Sequence, residues 1–190
     1  MQAKVSVGVS NHHVHLTKET YKKLFNKDEL TLKANLNQIG EFAAEEIVTI
    51  KCNDKVLENL RIIGPFRSYN QVEVSSSDAR KLRVKVPVRK SGDVKDSGSL
   101  TIIGPHGEVQ LSEGMIIANR HVHFNFEDAK KYNVVDDQKL YIKVDGDKAG
   151  IMEAVAKVSD TGYFELHIDT DDASAFLLNS NDEVIVSDQI

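Results

Sequence analysis

Two short histidine patterns are the residues of this chain best suited to chemistry. His13-Val14-His15 and His121-Val122-His123 together hold four of the seven histidines. In a β-strand, positions i and i+2 point to the same face, with Cα atoms about 6.5 Å apart. Two imidazoles at that spacing can bind one ion through Zn–N bonds of about 2.0 Å. The two copies predict two metal sites, or one site shared by two ions.

Further metal ligands are expected from other predicted strands. Glu73 lies in the sequence Q-V-E-V-S, and His167 lies in Y-F-E-L-H-I-D. Either side chain could point into the cleft where two duplicated halves meet. Imidazole and carboxylate together suit zinc or another late divalent metal. The alternative is that these histidines are surface residues or hydrogen-bonded core residues, but the duplication argues against it.

Basic residues near these motifs are candidates for binding an anionic substrate. Arg67 directly follows a Gly-Pro-Phe sequence, and its planar guanidinium could bind phosphate oxygens bidentately. Arg89 and Lys90 end a basic stretch beside a polar loop and could contact the phosphates of a large anion. Arg120 precedes the second histidine pair and could support a ligand or contact phosphate. The alternative for Arg67, Arg89 and Lys90 is an ordinary solvated surface.

The chain contains an internal duplication. The first histidine pair precedes a short helix for which Thr17 is the candidate N-cap, and the second precedes a similar helix with Asn125 as N-cap. The sequence Ile-Ile-Gly-Pro at 62–65 recurs at 102–105. These repeated motifs predict a pseudo-twofold architecture.

Most of the remaining sequence predicts short strands, which favours small barrels or sandwiches with few helices. Two more helices are expected at Ser75–Leu82 and Thr170–Leu177. The predicted strands are Val5–Val9, Leu30–Leu36, Ile47–Cys52, Val56–Ile63, Gln71–Val74, Leu100–Ile103, Val109–Leu111, Met115–Ala118, Leu140–Val144, Ala154–Val158, Tyr163–His167 and Val184–Val186.

Composition limits the class of protein. A chain of 190 residues forms one large domain or two small ones. A net charge of −5 argues against a general nucleic-acid or membrane surface. The single cysteine, Cys52, excludes an intrachain disulfide and fits a reducing compartment. With no targeting segment expected, the sequence predicts a cytoplasmic protein.

Several longer motifs resemble one known family. The sequences V-G-V-S-N-H-H-V-H-L, G-P-F-R-S-Y-N-Q-V-E-V-S, V-P-V-R-K-S-G-D, I-I-A-N-R-H-V-H-F and E-L-H-I-D-T-D-D-A resemble the phosphate propanoyltransferase family, the PduL-type phosphotransacylases. The resemblance implies a mainly β fold with two similar small barrels capped by short helices and a dinuclear zinc site between them. It also implies interconversion of acyl-CoA plus phosphate with acyl phosphate plus CoA. The expected domains are 12–117 and 118–190, with the strand in 1–11 exchanged into the second barrel.

The resemblance also implies a role for each candidate residue. One zinc would be held by His13, His15 and Glu73, with the CoA sulfur able to approach it. The other would be held by His121, His123 and His167, with water completing its coordination. Arg67 matches the family's phosphate-binding arginine.

The remaining expectations concern substrates and assembly. Arg89, Lys90 and Arg120 are candidates for substrate or CoA binding, and coenzyme A is a substrate or product. No residue is a convincing covalent nucleophile, so direct attack by phosphate is expected. The family suggests a homodimer, and some members are housed in bacterial microcompartments.

Two features depart from the family pattern. Where the family usually has arginine before the first histidine pair, this chain has His12, which could alter anion affinity. Microcompartment members commonly carry an N-terminal amphipathic helix, whereas this sequence opens directly on a predicted strand. That favours a free cytosolic form, with packaging by another route left open.

Two other functions use the same residues. A dinuclear zinc hydrolase of phosphoesters or thioesters would activate water instead of phosphate. A non-enzymatic barrel module would use zinc only for stability. A structural zinc ion, however, normally has four protein ligands and no open position. Six candidate ligands for two ions leave open positions, which favours catalysis.

Overall fold

The computed structural model describes residues 1–190, which form fourteen strands and four short helices. The fold is mainly β, as predicted. The strands are β1 Gln2–Ser10, β2 His13–His15, β3 Leu32–Asn35, β4 Phe42–Cys52, β5 Lys55–Gly64, β6 Gln71–Glu73, β7 Val88–Arg89, β8 Gly98–Gly104, β9 Gly107–Ala118, β10 His121–Phe124, β11 Lys139–Val144, β12 Gly150–Val158, β13 Glu165–Asp169 and β14 Glu183–Ser187. The helices are α1 Lys18–Phe25, α2 Ser76–Leu82, α3 Phe126–Tyr132 and α4 Thr170–Phe176.

The chain divides into two compact units. The first barrel comprises Asn11–Ala118, and the second barrel comprises Met1–Ser10 together with Asn119–Ile190. The opening strand β1 therefore belongs to the same unit as the C-terminal part of the chain.

The first barrel is a closed ring of six strands. Neighbouring strands pair in the order β4, β5, β2, β6, β9 and β8, and β8 pairs again with β4. Two short strands lie outside the ring, because β3 pairs with β4 and β7 pairs with β9. Ring closure leaves the six strands without a free edge of their own.

The second barrel repeats this arrangement. Its closed ring runs β11, β12, β10, β13, β1 and β14. The parallel and antiparallel pairings occur in the same sequence in both rings. Thus β10 corresponds to β2, β13 to β6 and β1 to β9. The duplication predicted from the histidine motifs is therefore a duplication of whole barrels.

Each helix begins at a side-chain N-cap, and this fixes how the chain leaves the strand before it. Thr17 accepts a hydrogen bond from the backbone N–H of Thr20 at 3.1 Å, and Asn125 accepts from Asp128 at 2.7 Å. Both caps agree with the sequence-based expectation. Such caps satisfy backbone donors that have no partner within the helix. None of the four helices has the length and apolar character needed to cross a membrane.

Alternating side chains fill each barrel with apolar groups. In β4, for example, Ala44, Val48 and Ile50 are buried while Glu45 and Lys51 are exposed. This period of two is typical of a strand with one face on the core. Each barrel has a separate cluster of buried apolar residues, so each has its own core.

Most predicted elements are present, and the ends of many are shifted by a few residues. Three larger differences have a structural reason or were not predicted at all. The predicted strands Val109–Leu111 and Met115–Ala118 form one strand, β9, because Gly114 at φ +131° lets the extended chain continue through a polar segment that looks like a turn. The predicted strand Tyr163–His167 begins later, at Glu165, after the turn in which Gly162 donates to Ser159. The two-residue strand β7 was not predicted.

Candidate functional site

The first barrel brings three predicted ligands together. His13 and His15 lie on β2, and Glu73 is the direct partner of His13 on the antiparallel strand β6. The Nε2 atom of His13 is 3.5 Å from a carboxylate oxygen of Glu73. The two imidazole ring centroids are 5.1 Å apart. One potential ligand atom from each residue lies within 4.8 Å of the others.

Backbone carbonyls orient the two imidazoles of this cluster. The Nδ1 atom of His13 is 2.8 Å from the carbonyl oxygen of Asn11, and Nδ1 of His15 is 3.2 Å from that of Ile63. A carbonyl oxygen can only accept, so each Nδ1 must carry the proton. The lone pair then lies on Nε2 of each ring, which is the usual arrangement for a histidine that binds metal.

The second barrel has an equivalent cluster built on β10 and β13. His121 and His123 lie on β10, and His167 is the direct partner of His121 on β13. The ring centroid of His167 is 5.3 Å from that of His121 and 4.6 Å from that of His123. These three residues also offer ligand atoms within 4.8 Å of one another. Glu73 and His167 thus occupy the same register position in their barrels.

The orientation of His121 repeats that of His13. Its Nδ1 atom is 2.9 Å from the carbonyl oxygen of Asn119, two residues earlier in the chain. Its Nε2 atom is 3.1 Å from Nε2 of His123. The Nδ1 atom of His123 is buried and has no hydrogen-bond partner.

Burial keeps one histidine of each pair neutral. Burial, then the neighbouring His13 and the Arg67 charge, lowers the pKa of His15 to about 3. Burial, followed by His121 and His167, lowers the pKa of His123 to about 2. A neutral imidazole is the form that binds metal, so both residues are ready ligands at neutral pH.

Both donor sets fit zinc. With Zn–N and Zn–O bonds of about 2.0 Å, tetrahedral geometry places neighbouring ligand atoms about 3.3 Å apart. The measured separations of 3.5 Å for His13 and Glu73 and 3.1 Å for His121 and His123 are close to this value. Three protein ligands leave a position open, as in catalytic zinc sites.

Arg67 lies in the first barrel beside the ligand histidines. Its charge contributes to the lowered pKa of His15. One terminal nitrogen of its guanidinium contacts the carboxylate of Glu41, while Nε is buried without a hydrogen-bond partner. The backbone N–H of Arg67 donates to Leu16 at 2.9 Å, which fixes the chain next to β2. The guanidinium therefore has donors that an anion could satisfy.

Arg89 ends β7, and Lys90 begins a loop that contacts the first cluster through Gln71. The buried Gln71 side chain donates to Glu73 at 2.7 Å and to the Ser91 hydroxyl at 2.8 Å. The Nε atom of Arg89 is buried without a hydrogen-bond partner and is 3.7 Å from Asp93. The structure thus places these two cations directly before Ser91, which contacts Gln71 beside the candidate ligand Glu73.

Arg120 and His12 hold helices in equivalent ways. Arg120 donates to Asp172 at 2.7 Å, and His12 Nδ1 is 3.0 Å from Asp78. Asp78 is in the first turn of α2, which follows β6, and Asp172 is in the first turn of α4, which follows β13. His12 is not part of the cluster formed by His13, His15 and Glu73. Because Asp172 already engages Arg120, a substrate-binding role for Arg120 stays a prediction.

One known protein family matches this chain. The family model described as "Phosphate propanoyltransferase" matches residues 6–179. The chain belongs to the phosphate propanoyltransferase family.

Relatives agree with this membership. A phosphate propanoyltransferase of Thermotoga maritima is 42% identical over 185 residues, covering 96% of this chain and 88% of the relative. One from Lachnoclostridium phytofermentans is 45% identical, covering 90% of this chain and 81% of the relative. One from Salmonella typhimurium is 37% identical, covering 92% and 84%. The resemblance inferred from the motifs is confirmed, and the chain is a phosphate acyltransferase.

Sequence reasoning missed the residues that support the third ligand in each barrel. Gln71 lies two positions before Glu73, and Glu165 lies two positions before His167. Glu165 is only 5% exposed, and its carboxylate is 2.8 Å from Nε2 of His167. The strand period of two was the available signal, because a residue two positions before a ligand shares its face.

Proposed function

We propose that this protein interconverts an acyl-CoA and phosphate with an acyl phosphate and CoA, with propanoyl-CoA or acetyl-CoA as acyl donor, at two zinc ions. The observation that supports this proposal is the pair of three-ligand clusters on equivalent strands of a chain from this family. The names of the relatives give propanoyl as the acyl group.

The two clusters differ in charge. His13, His15 and Glu73 provide one carboxylate, whereas His121, His123 and His167 provide none. Zinc in these clusters would act as a Lewis acid toward the developing oxyanion and as a soft partner for the departing thiolate. In this proposal the carboxylate of Glu73 offsets part of the cation charge in the first barrel, so the second barrel offers the more electrophilic site.

Arg67 is proposed to bind the attacking phosphate. Its Nε–H is buried without an acceptor, and it lies near His15. A guanidinium has five N–H donors, so the contact with Glu41 leaves others available for phosphate oxygens. Holding one oxygen in line with the thioester carbonyl would supply the proximity that a bimolecular reaction lacks.

The only cysteine of the chain is a poor candidate for a covalent nucleophile, which favours direct attack by phosphate. Cys52, the only cysteine, is buried, and burial raises the pKa of its thiol. A thiol held in this form is a poor nucleophile. In the proposed step, an oxygen of hydrogen phosphate forms the C–O bond, the C–S bond breaks, and the phosphate proton is transferred to the CoA sulfur.

CoA binding is proposed for Arg89, at the end of β7, and for Lys90, which follows it. The protein carries a net charge of −5, so a polyanionic substrate needs a local basic site. Arg89 and Lys90 provide two adjacent cations. The buried Nε of Arg89 has no hydrogen-bond partner, which fits a donor for a phosphate oxygen.

Release of CoA thiol tests the function. Purified protein is mixed with propanoyl-CoA or acetyl-CoA, with and without phosphate, before and after treatment with a chelator. We expect thiol release that requires phosphate, is lost on chelation and returns with added zinc. The faster substrate identifies the acyl preference, although one methylene contributes only about 1–3 kcal/mol to discrimination.

Other outcomes of the same assay would contradict the proposal. Thiol release without phosphate would identify a thioester hydrolase. Loss of folded structure on chelation, with no turnover under any condition, would identify zinc as purely structural. A stable acyl-enzyme formed from acyl-CoA alone would contradict direct attack by phosphate.

A further inference from the structure

Glu41 is the only hydrogen-bond partner of the Arg67 side chain. The Nη2 atom of Arg67 donates to Oε1 of Glu41, and the two groups form an ion pair. The Nε atom of Arg67 is buried without a hydrogen-bond partner, and Nη1 makes no hydrogen bond within the protein. Oε2 of Glu41 likewise accepts no hydrogen bond. Unused donors and an unused acceptor therefore lie side by side on one ion pair.

Strand pairing in the first barrel fixes this ion pair. Glu41 directly precedes β4, and its backbone N–H and carbonyl oxygen both form hydrogen bonds of 3.1 Å within the turn 36–41. The next residue, Phe42, pairs with Gly64, which lies three positions before Arg67. A Cβ atom on Gly64 would overlap the phenyl ring of Phe42, so the ring lies directly on the glycine backbone. The ion pair is thus set by the register of β4 and β5 rather than by a chance contact between surface side chains.

The ion pair is partly removed from water but remains accessible. The side chain of Arg67 is 33% exposed, and that of Glu41 is 15% exposed. Polar atoms that lose contact with water destabilise a site unless a partner replaces the lost hydrogen bonds. A small ligand that both accepts and donates hydrogen bonds would satisfy the unused atoms of both side chains.

Hydrogen phosphate is a ligand of this kind. At neutral pH phosphate retains at least one hydroxyl group, whereas sulfate has the same tetrahedral shape and no hydroxyl group. Guanidinium donors and zinc ions bind oxygen lone pairs, so neither can accept a hydrogen bond from that hydroxyl. Glu73 has a carboxylate, but one of its oxygens accepts from Gln71 and the other is 3.5 Å from His13. Glu41 is the acceptor that lies next to the donors of Arg67.

From this arrangement we propose that Glu41 accepts a hydrogen bond from the hydroxyl of the phosphate at Arg67 and so selects phosphate over sulfate. Its carboxylate attracts the hydroxyl and repels a fully ionised anion of the same shape, which makes Glu41 a specificity-determining residue. The inference rests on the proposed function, which assigns phosphate binding to Arg67, and adds how the site rejects a competing anion. The hydrogen bond belongs to the bound state before the reaction, so no proton needs to pass to Glu41.

Anion binding by the wild-type protein is the first test. Phosphate and sulfate are titrated separately into zinc-loaded protein in a calorimeter, and sulfate is also measured as a competitive inhibitor against phosphate. We expect sulfate to bind at least about 10²-fold more weakly, because an acceptor that faces an anion without a proton stays unsatisfied. Equal affinity for the two anions would overturn the inference, and this result does not depend on how well any variant folds.

Substitution of Glu41 tests the role of its carboxylate. In Glu41→Gln the amide oxygen can still accept from Arg67, while the amide nitrogen offers the anion a donor in place of an acceptor. The ratio of phosphate affinity to sulfate affinity should fall about 10-fold or more, mainly through tighter sulfate binding, with no change in the KM for acyl-CoA. Glu41→Asp should keep part of the selectivity. Glu45→Gln is the control, because it removes the same charge from an exposed position of β4 and should leave the selectivity at the wild-type value.

The outcomes separate this inference from the proposed function. If Glu41→Gln bound phosphate and sulfate more tightly by the same factor, Glu41 would only compete with anions for Arg67, and the inference would be overturned. Wild-type selectivity in Glu41→Gln would overturn it as well. Unchanged phosphate affinity in Arg67→Ala would instead overturn the phosphate site of the proposed function.

Discussion

His13 and Glu73 face each other across β2 and β6, with Nε2 of the histidine 3.5 Å from a carboxylate oxygen. His121 and His167 occupy the same register in the second barrel. Two adjacent antiparallel strands therefore provide a complete three-ligand cluster in each barrel. The ligand sets differ only at the third position.

The first prediction concerns metal content. Glu73→Gln should reduce the amount of zinc bound from two ions to one per chain. A neutral amide oxygen is a much weaker zinc ligand than a carboxylate. Elemental analysis of purified protein measures the ratio. His106→Ala is the control, since this exposed histidine lies in the turn between β8 and β9. Two ions per chain in Glu73→Gln would exclude Glu73 as a ligand.

The second prediction concerns phosphate binding. Arg67→Ala should raise the phosphate KM and reduce turnover by about 10²-fold or more, because it removes a charged donor that the transition state needs. Steady-state kinetics with varied phosphate provide the measurement. Lys139→Ala, which removes an exposed ion pair with Glu153, should leave both constants unchanged. Wild-type phosphate kinetics in Arg67→Ala would exclude the assignment.

The third prediction concerns pH. In the metal-free protein, His15 and His123 stay neutral at pH values far below the ordinary histidine pKa of about 6.5. In the unfolded chain the same two histidines take up protons at those pH values. The unfolded state then binds more protons, so stability falls as pH decreases below about 6.5, by on the order of 1 kcal/mol per pH unit for each histidine. Chemical unfolding of chelated protein between pH 6.5 and 5 measures the slope.

A variant separates these histidines from other acid-sensitive groups. Asp78 also has a lowered pKa, because hydrogen bonds from His12 and Lys81 outweigh the effect of its burial, but it titrates below this pH range. His123→Asn should therefore reduce the slope between pH 6.5 and 5 by about half, because His15 still contributes its share. The same slope in wild type and His123→Asn would show that His123 takes no part in it.

The fourth prediction concerns His12. His12→Ala should lower the free energy of unfolding of the first barrel by about 1.5–3 kcal/mol. The buried Asp78 loses a hydrogen bond that connects the residue before β2 to α2. His12→Arg should keep stability near wild type, since Arg120 makes the equivalent contact with Asp172. Thermal unfolding measures both variants. A change in zinc content without a change in stability would contradict this structural role.

Local patterns in the sequence were enough to predict much of the fold. The histidine motifs revealed the duplication, and Thr17 and Asn125 marked two helix starts, because caps and strand alternation depend on neighbouring residues. The closed rings depend on pairings between strands that are distant in the sequence, such as β1 with β13. Residue spacing alone was therefore compatible with barrels and with sandwiches. Only the family resemblance favoured barrels.

The candidate site was predicted less completely. Residue type and spacing indicated six candidate ligands, and the family resemblance divided them into two sets of three. The structure places the members of each set near one another. Glu165 and Gln71 were missed because each contacts a candidate ligand only as its neighbour in the sheet. The partner of Arg67, Glu41, lies 26 positions away and has no motif. Dimer formation and microcompartment packaging stay predictions of the family resemblance.

The placement of β1 has a consequence for the order in which the protein can fold. The first barrel uses a continuous stretch of chain and can close as soon as Ala118 has left the ribosome. β1 is made earlier but has no partners until β13 and β14 are synthesised. During that interval an apolar strand must be kept from pairing wrongly, and the ring around His121, His123 and His167 closes last.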